Sequence, residues 1–444
     1  MTTDLAHALL DAARKAGADS ADAIVIEGTS VSIDVRDGRL EHAERAEALD
    51  LGLRVLVGRR QACVSGSDAR PETIALVAER AVAMAREAPE DPFAGLADPA
   101  QLSDRRDAQG FELCDTAPEP DPADLQARAL EAEEAARAVA GVTQVDQSSA
   151  SYSRRQVWLA ASNGFSGGYE RTSHHVSCLA ITGQGTGMER DWSAESRIFG
   201  ADLPSAAGIG REAAERAVAR MNSMASPSGA FPVLFDERVA GSLIGHLCGA
   251  INGSAIARGQ SWLRDALGQR VLPQGVDLIE DPHRVRISGS RPFDAEGLPT
   301  RRRLLVEDGI LTGWVLDLAT ARKLGLESTA NAARGPSAPP SPSLSNLALT
   351  PGTRTRADLI RDMGTGLLVT SMIGSTINPN TGDYSRGASG FWVENGQITH
   401  AVRKCTIAGN LRDFLLRMQA ANDIKPHDGM QVPSLLVEGL TIAG

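Results

Sequence analysis

The chain has 444 residues, of which 42% are hydrophobic and 23% charged, with a formal net charge of -11 and a pI near 5.3. That length exceeds what one core ordinarily organises, so two domains are expected. The acidic balance argues against a dedicated nucleic-acid or anionic-membrane surface, either of which needs clustered Lys and Arg.

The N-terminus enters an amphipathic helix to about Gly17, with no basic n-region or apolar h-region of a secretory signal. No run of about 18 apolar residues suggests a membrane span. Ala21 to Glu27, Ser30 to Arg36, Leu40 to Arg45, Asp50 to Val57 and Arg59 to Ser65 read as short strands of an antiparallel meander, with Asp37-Gly38 and Gly58 as turns. A helix from Pro71 to Glu87 covers one face, and the Pro- and Asp-rich stretch from Pro89 to Pro120 reads as a surface connection. Asp121 caps a helix from Pro122 to about Val139, whose alternating charges suit a solvated face.

Strands return at Gln144 to Ser153, Arg155 to Ala161, Gly167 to Thr182 and Met188 to Ile198. Gly164 to Gly168 matches G-x-S-x-G, but a nucleophile elbow needs a helix after it, and a strand follows. Gly183 to Gly187 likewise lacks the helix that a phosphate-cradling loop opens, so both read as hairpin turns. His174 and His175 are sequential on a strand and face opposite sides, so they cannot simply share a metal. A helix from Pro204 to about Asn222 closes the first domain, and Ser226-Pro-Ser-Gly229 reads as the linker between domains 1–225 and 226–444.

Phe231 to Phe235 reads as a buried strand, and Asp236 as the N-cap of a helix to about Ile251. Val239, Leu243, His246, Leu247 and Ala250 then share one apolar face. His246 lacks the i+4 partner of a metal-binding pair, and by itself it reads as a hydrogen-bonded core histidine. The run from Val239 to Asp265, including Gly245-His-Leu-Cys-Gly-Ala-Ile-Asn-Gly-Ser-Ala255, resembles the PmbA (TldE) branch of the TldD/PmbA family of metalloproteases. The resemblance implies that a TldD-type relative carries His-Glu-x-x-x-His at the positions held here by Gly245, His246 and Ala250. A third ligand, a cysteine near the C-terminus, corresponds to Lys425, whose ammonium has no lone pair for a metal.

Further on, strands are expected at Val276 to Glu280, Thr300 to Glu307 and Ile310 to Leu316, with Asp308-Gly309 as a hairpin turn. Asp294-Ala-Glu296-Gly resembles a family segment of the cleft floor, and reads equally well as a polar turn. The Pro/Ser-rich loop from Asn331 to Asn346 reads as a linker by composition, and as a wall over the cleft by resemblance. Gly374 to Thr399 and Ile407 to Asn410 complete the family signature. Cys63, Cys114, Cys178, Cys248 and Cys405 are scattered singly, which fits reduced thiols, with Cys248 and Cys405 structural.

The expected architecture is α+β: an N-terminal layer with antiparallel strands and a β-rich C-terminal domain carrying one central helix. The resemblance implies a cytoplasmic subunit without metal or catalytic residues of its own, which shapes a peptide chamber with a TldD-type partner that holds zinc. His246, Asn252, Arg258, Asp294, Glu296, Asn346 and Asn378 are the candidate cleft residues. The alternative is a metal-free peptide-binding or scaffold protein acting alone as a homodimer.

Overall fold

The computed structural model describes residues 2–444, apart from the side chains at 375 and 376. Helix α1 (Thr2–Ala16) leads into β1 (Ser20–Arg36), β2 (Arg39–Val57) and β3 (Arg60–Gly66), then α2 (Pro71–Glu87) and α3 (Pro122–Arg137). Next come β4 (Val142–Ala161), β5 (Ser166–Thr182), β6 (Glu189–Arg197) and α4 (Ala206–Ala219). The six strands form one antiparallel sheet in the order β3-β2-β1-β4-β5-β6.

The sequence reads β1, β2 and β4 as two strands each, whereas each is continuous over 17, 19 and 20 residues. Gly28 interrupts the local strand pattern of β1, but it pairs with Ala48 on one side and Arg155 on the other, and the two ladders hold it extended. The hairpin turn at Asp37 and Gly38 has φ of 53° and 70°, the left-handed pair that a two-residue hairpin requires. Beyond the reach of β3, residues 39–49 form an edge that carries charges and a bulge near Glu41, both of which discourage edge-to-edge pairing.

Strand periodicity decides what each face of this sheet meets. Val25, Leu53, Leu9 and Val82 bury one end of the helical face under α1 and α2, while Val31, Ile33 and Val176 pack with Ile209 under α3 and α4. Ile24 points the other way, into a cluster with Leu159, Phe165 and Phe293, so the second half of the chain covers the opposite face.

That half begins with β7 (Gly229–Phe235), α5 (Glu237–Ala250), α6 (Gly253–Ala257), β8 (Leu278–Glu280), β9 (Arg303–Glu307), β10 (Ile310–Leu311) and α7 (Leu318–Leu324). It continues through β11 (Ala332–Ala333), β12 (Ser341–Pro342), β13 (Leu347–Leu349), α8 (Arg356–Met363), β14 (Gly366–Ile377) and β15 (Asp383–Glu394). β16 (Gln397–Asn410), α9 (Leu411–Leu415), β17 (Gln419–Ala420), β18 (Met430–Gln431) and β19 (Leu435–Ala443) complete it. β7, β14, β15, β16 and β19 close into a barrel, because β16 pairs with β19 as well as with β15. Val233, Phe235 and Val369 pack with α5, whereas Leu234, Leu368 and Leu436 pack with α8, so both faces of β7 are buried. β8, β9, β10, β13 and β18 form a second sheet.

β10 has two residues rather than the expected seven, because the chain turns off at Thr312 and Val315 bridges to Asn252 instead. Among the described residues no helix is long and apolar enough to cross a membrane.

Candidate functional site

The strand-to-helix step at Phe235–Glu237 anchors the site. Asp236 leaves β7 as the N-cap and accepts from the Arg238 amide at 3.3 Å, and the Glu237 amide donates to the Ser434 hydroxyl at 3.1 Å. The buried stripe of α5 is Ala240, Leu243, Ile244, Leu247 and Ala250. His246 therefore sits on the flank of that stripe rather than inside it. Its imidazole lies 6.0 Å from the Tyr384 ring, and among the described residues its buried Nε2 has no hydrogen-bond partner. Burial, and then the Arg386 charge, push His246 down to about 4, so the ring is neutral at pH 7. A Cβ built at Gly245 or Gly249 meets nothing within 4 Å, which leaves this part of the helix as open backbone.

The residues present do not fit a metal on α5. Gly245 and Ala250 carry no donor, and the Lys425 ammonium lies 3.4 Å from the Glu237 carboxylate on the first turn of the helix. Eight residues separate Glu237 from Gly245, about 12 Å along the axis at the usual rise. Among the described residues no group of three or more His, Cys, Asp or Glu side chains is placed to hold a metal ion. No reaction step through a metal on this helix follows from this chain.

The other candidate residues fall in separate places. Asn252 caps α6 and donates to the Pro342 carbonyl at 2.9 Å, which ties the end of α5 to the Pro-rich loop, while Arg258 donates to the Gln260 side chain at 3.1 Å. Asp294 is buried against the first sheet and accepts from the amides of Glu296, Leu298 and Ala332 at 2.9 to 3.0 Å. Glu296 accepts from the Leu318 amide at 2.9 Å, and burial, reinforced by Asp294, pushes its carboxyl up to about 8. Asn346 is fully buried and donates to Ser290 Oγ at 2.7 Å, and Asn378 organises the β14–β15 turn through the Asn380 amide. The loop from Asn331 docks on the first sheet: Arg334 and Arg54 both pair with buried Asp22, the latter at 2.6 Å.

Three family models match in turn: the PmbA/TldA metallopeptidase domain 1 over residues 21–85, its central domain over 115–221 and its C-terminal domain over 228–444. The chain belongs to the PmbA/TldD metallopeptidase family. It is 35% identical to Metalloprotease PmbA of Escherichia coli O157:H7, covering 96% of this chain and 92% of that one. It is 36% identical to the Metalloprotease PmbA homolog of Haemophilus influenzae, covering 98% and 94%. Among solved structures, TldE from Thermococcus kodakarensis has the same fold, with a TM-score of 0.86 at 21% identity over 99% of this chain and all of that one.

In this PmbA-type chain, sequence reasoning missed the ionic cluster around the start of α5. Asp236 pairs with Arg356 at 2.9 Å and Arg238 at 3.1 Å, and Arg238 reaches Asp191 of the first sheet at 3.1 Å. Burial would raise Asp236, but a hydrogen bond from Glu237 and the two arginines hold it below its ordinary value. Glu237 goes the other way, to about 7, through burial and its hydrogen bond to Asp236, with Lys425 opposing. Asp191, Asp236, Glu237, Arg238 and Arg356 border a cleft of about 270 Å³. The Asp236-Glu237-Arg238 triplet is visible in the sequence, but Asp191, Arg356 and Lys425 are too distant along the chain to be joined to it.

Proposed function

We propose that this chain is the non-catalytic subunit of a cytoplasmic metalloprotease that acts on peptides or unfolded proteins. It shapes a shared substrate chamber, while a TldD-type partner contributes the zinc and the residues that use it. The observation that carries this reading is α5: the helix is capped and buries one face, yet Gly245 and Ala250 offer no donor, the neutral His246 has no hydrogen-bond partner for its buried Nε2 among the described residues, and Lys425 is engaged by Glu237. The open backbone at Gly245 and Gly249, next to the Asn252–Pro342 contact, supports a role in accommodating an extended substrate.

The test is to mix the chain with a TldD-type protein, separate the species by size-exclusion chromatography and assay cleavage of an unfolded peptide by each alone and together. The reading expects a 1:1 complex burying more than about 1,000 Å², and cleavage that needs the partner. Absence of a complex at micromolar concentration, with the partner fully active alone, sinks it. Peptide binding by a self-associated chain, unaffected by the partner, would favour the homodimeric scaffold.

A further inference from the structure

A second cleft lies away from α5. It holds about 600 Å³ beside β9, and Arg301, Arg302, Arg303, Leu267, Trp314 and Leu326 line it. That volume is ordinary for a ligand site. Acidic side chains outnumber basic ones in the chain, 56 to 45, and many exposed arginines are paired, such as Arg14 with Asp11 and Arg70 with Asp68. Arg301 and Arg302 are exposed, and among the described residues neither has an ion-pair or hydrogen-bond partner. Arg303, the first residue of β9, is held in place, with its guanidinium 3.5 Å from Glu280 and donating to the Trp314 carbonyl at 3.4 Å. Its Nε and one terminal nitrogen are buried without a hydrogen-bond partner. The walls are apolar: Leu267 and Leu326 are 49% and 48% exposed.

We infer that this cleft binds an acidic peptide segment. Guanidinium groups pair with carboxylates through parallel hydrogen bonds, and the exposed leucines offer cover to apolar side chains that alternate with them. Glu327 on the rim and the chain's net charge of -11 oppose a polyphosphate or nucleic-acid strand, whose charge density is far higher. The inference rests on the peptide-handling reading above for the class of occupant, and it adds that the peptides engaged are rich in Asp or Glu.

The experiment uses the full chain and a short labelled peptide of alternating Glu and Leu, compared with its Gln counterpart, by fluorescence anisotropy. The Glu peptide is expected to bind at least about tenfold more tightly than the Gln peptide, and to weaken as salt rises. Arg301→Ala/Arg302→Ala should weaken it at least about tenfold, and Arg301→Glu/Arg302→Glu should abolish it, with circular dichroism melting unchanged because both side chains are exposed. No binding of the Glu peptide, equal binding of the two peptides, or unchanged binding by the variants overturns the inference. So does displacement by inorganic phosphate or an oligonucleotide at lower concentration than the Glu peptide itself. Complex formation with a TldD-type partner is read by chromatography without peptide, so either idea can fail while the other stands.

Discussion

Replacing Glu237 with Gln isolates the electrostatics at the start of α5. The carboxyl moves from an ordinary 4.5 to about 7 on folding, so the native chain binds this proton more tightly than the unfolded chain does. The associated stability is complete below about pH 4.5 and is lost as pH rises through about 7, the reverse of Asp236, whose lowered pKa adds stability that acid removes. The full effect is (7 − 4.5) × 1.36, or about 3 kcal/mol, and the part falling between pH 5.5 and pH 8 is about 2 kcal/mol. Urea unfolding at those two pH values should therefore show wild type losing about 2 kcal/mol more than Glu237→Gln. Lys425→Met should steepen the loss, because it removes the cation 3.4 Å from the carboxylate. Parallel pH profiles for wild type and Glu237→Gln would refute the reasoning.

The isolated chain should bind zinc only substoichiometrically in elemental analysis; about one tight zinc per chain, lost on His246→Ala, would reveal a site on α5 after all. Asp22→Ala leaves Arg54 and Arg334 buried without their shared carboxylate, so it should destabilise the chain by about 3–5 kcal/mol in denaturant titration. A loss below about 1 kcal/mol would mean that the buried arginines find water instead. Burial pushes the Cys248 thiol up to about 12 and raises that of Cys405, so iodoacetamide should label both slowly in the folded chain and quickly in denaturant. Rapid labelling of native Cys248 contradicts this.

Where local chemistry decides structure, the sequence is readable. Asp37-Gly38 and Asp308-Gly309 adopt the positive φ values that two-residue hairpins need, and Asp236 caps α5. The G-x-S-x-G match begins in the turn between β4 and β5, with Gly164 at φ 97°, and runs into β5 from Ser166, so no helix follows its serine, and His174 and His175 part to Asp115 and Ser196. What is decided by distant partners is not readable. The continuity of β1 through Gly28 depends on β2 and β4, barrel closure depends on β16 meeting β19, and Lys425 finds Glu237 across most of the second half. The acidic segment at Asp294 and Glu296 shows the same limit in part: the local amides of Glu296 and Leu298 suit the turn reading, but the amides of Leu318 and Ala332 that complete its hydrogen bonding come from far along the chain. Its burial against the first sheet follows from Phe293 meeting Phe165 at 4.9 Å, a contact between residues far apart in the sequence.

The central claim is that α5 serves a chamber completed by another subunit rather than chemistry of its own. Peptide cleavage by the purified chain, by a TldD-type partner and by their mixture, with zinc measured in each fraction, tests it most directly. The account predicts no cleavage and no stoichiometric zinc in this chain alone, and cleavage that co-elutes with the mixed complex. Hydrolysis by this chain alone, whether or not chelator is present, would contradict it.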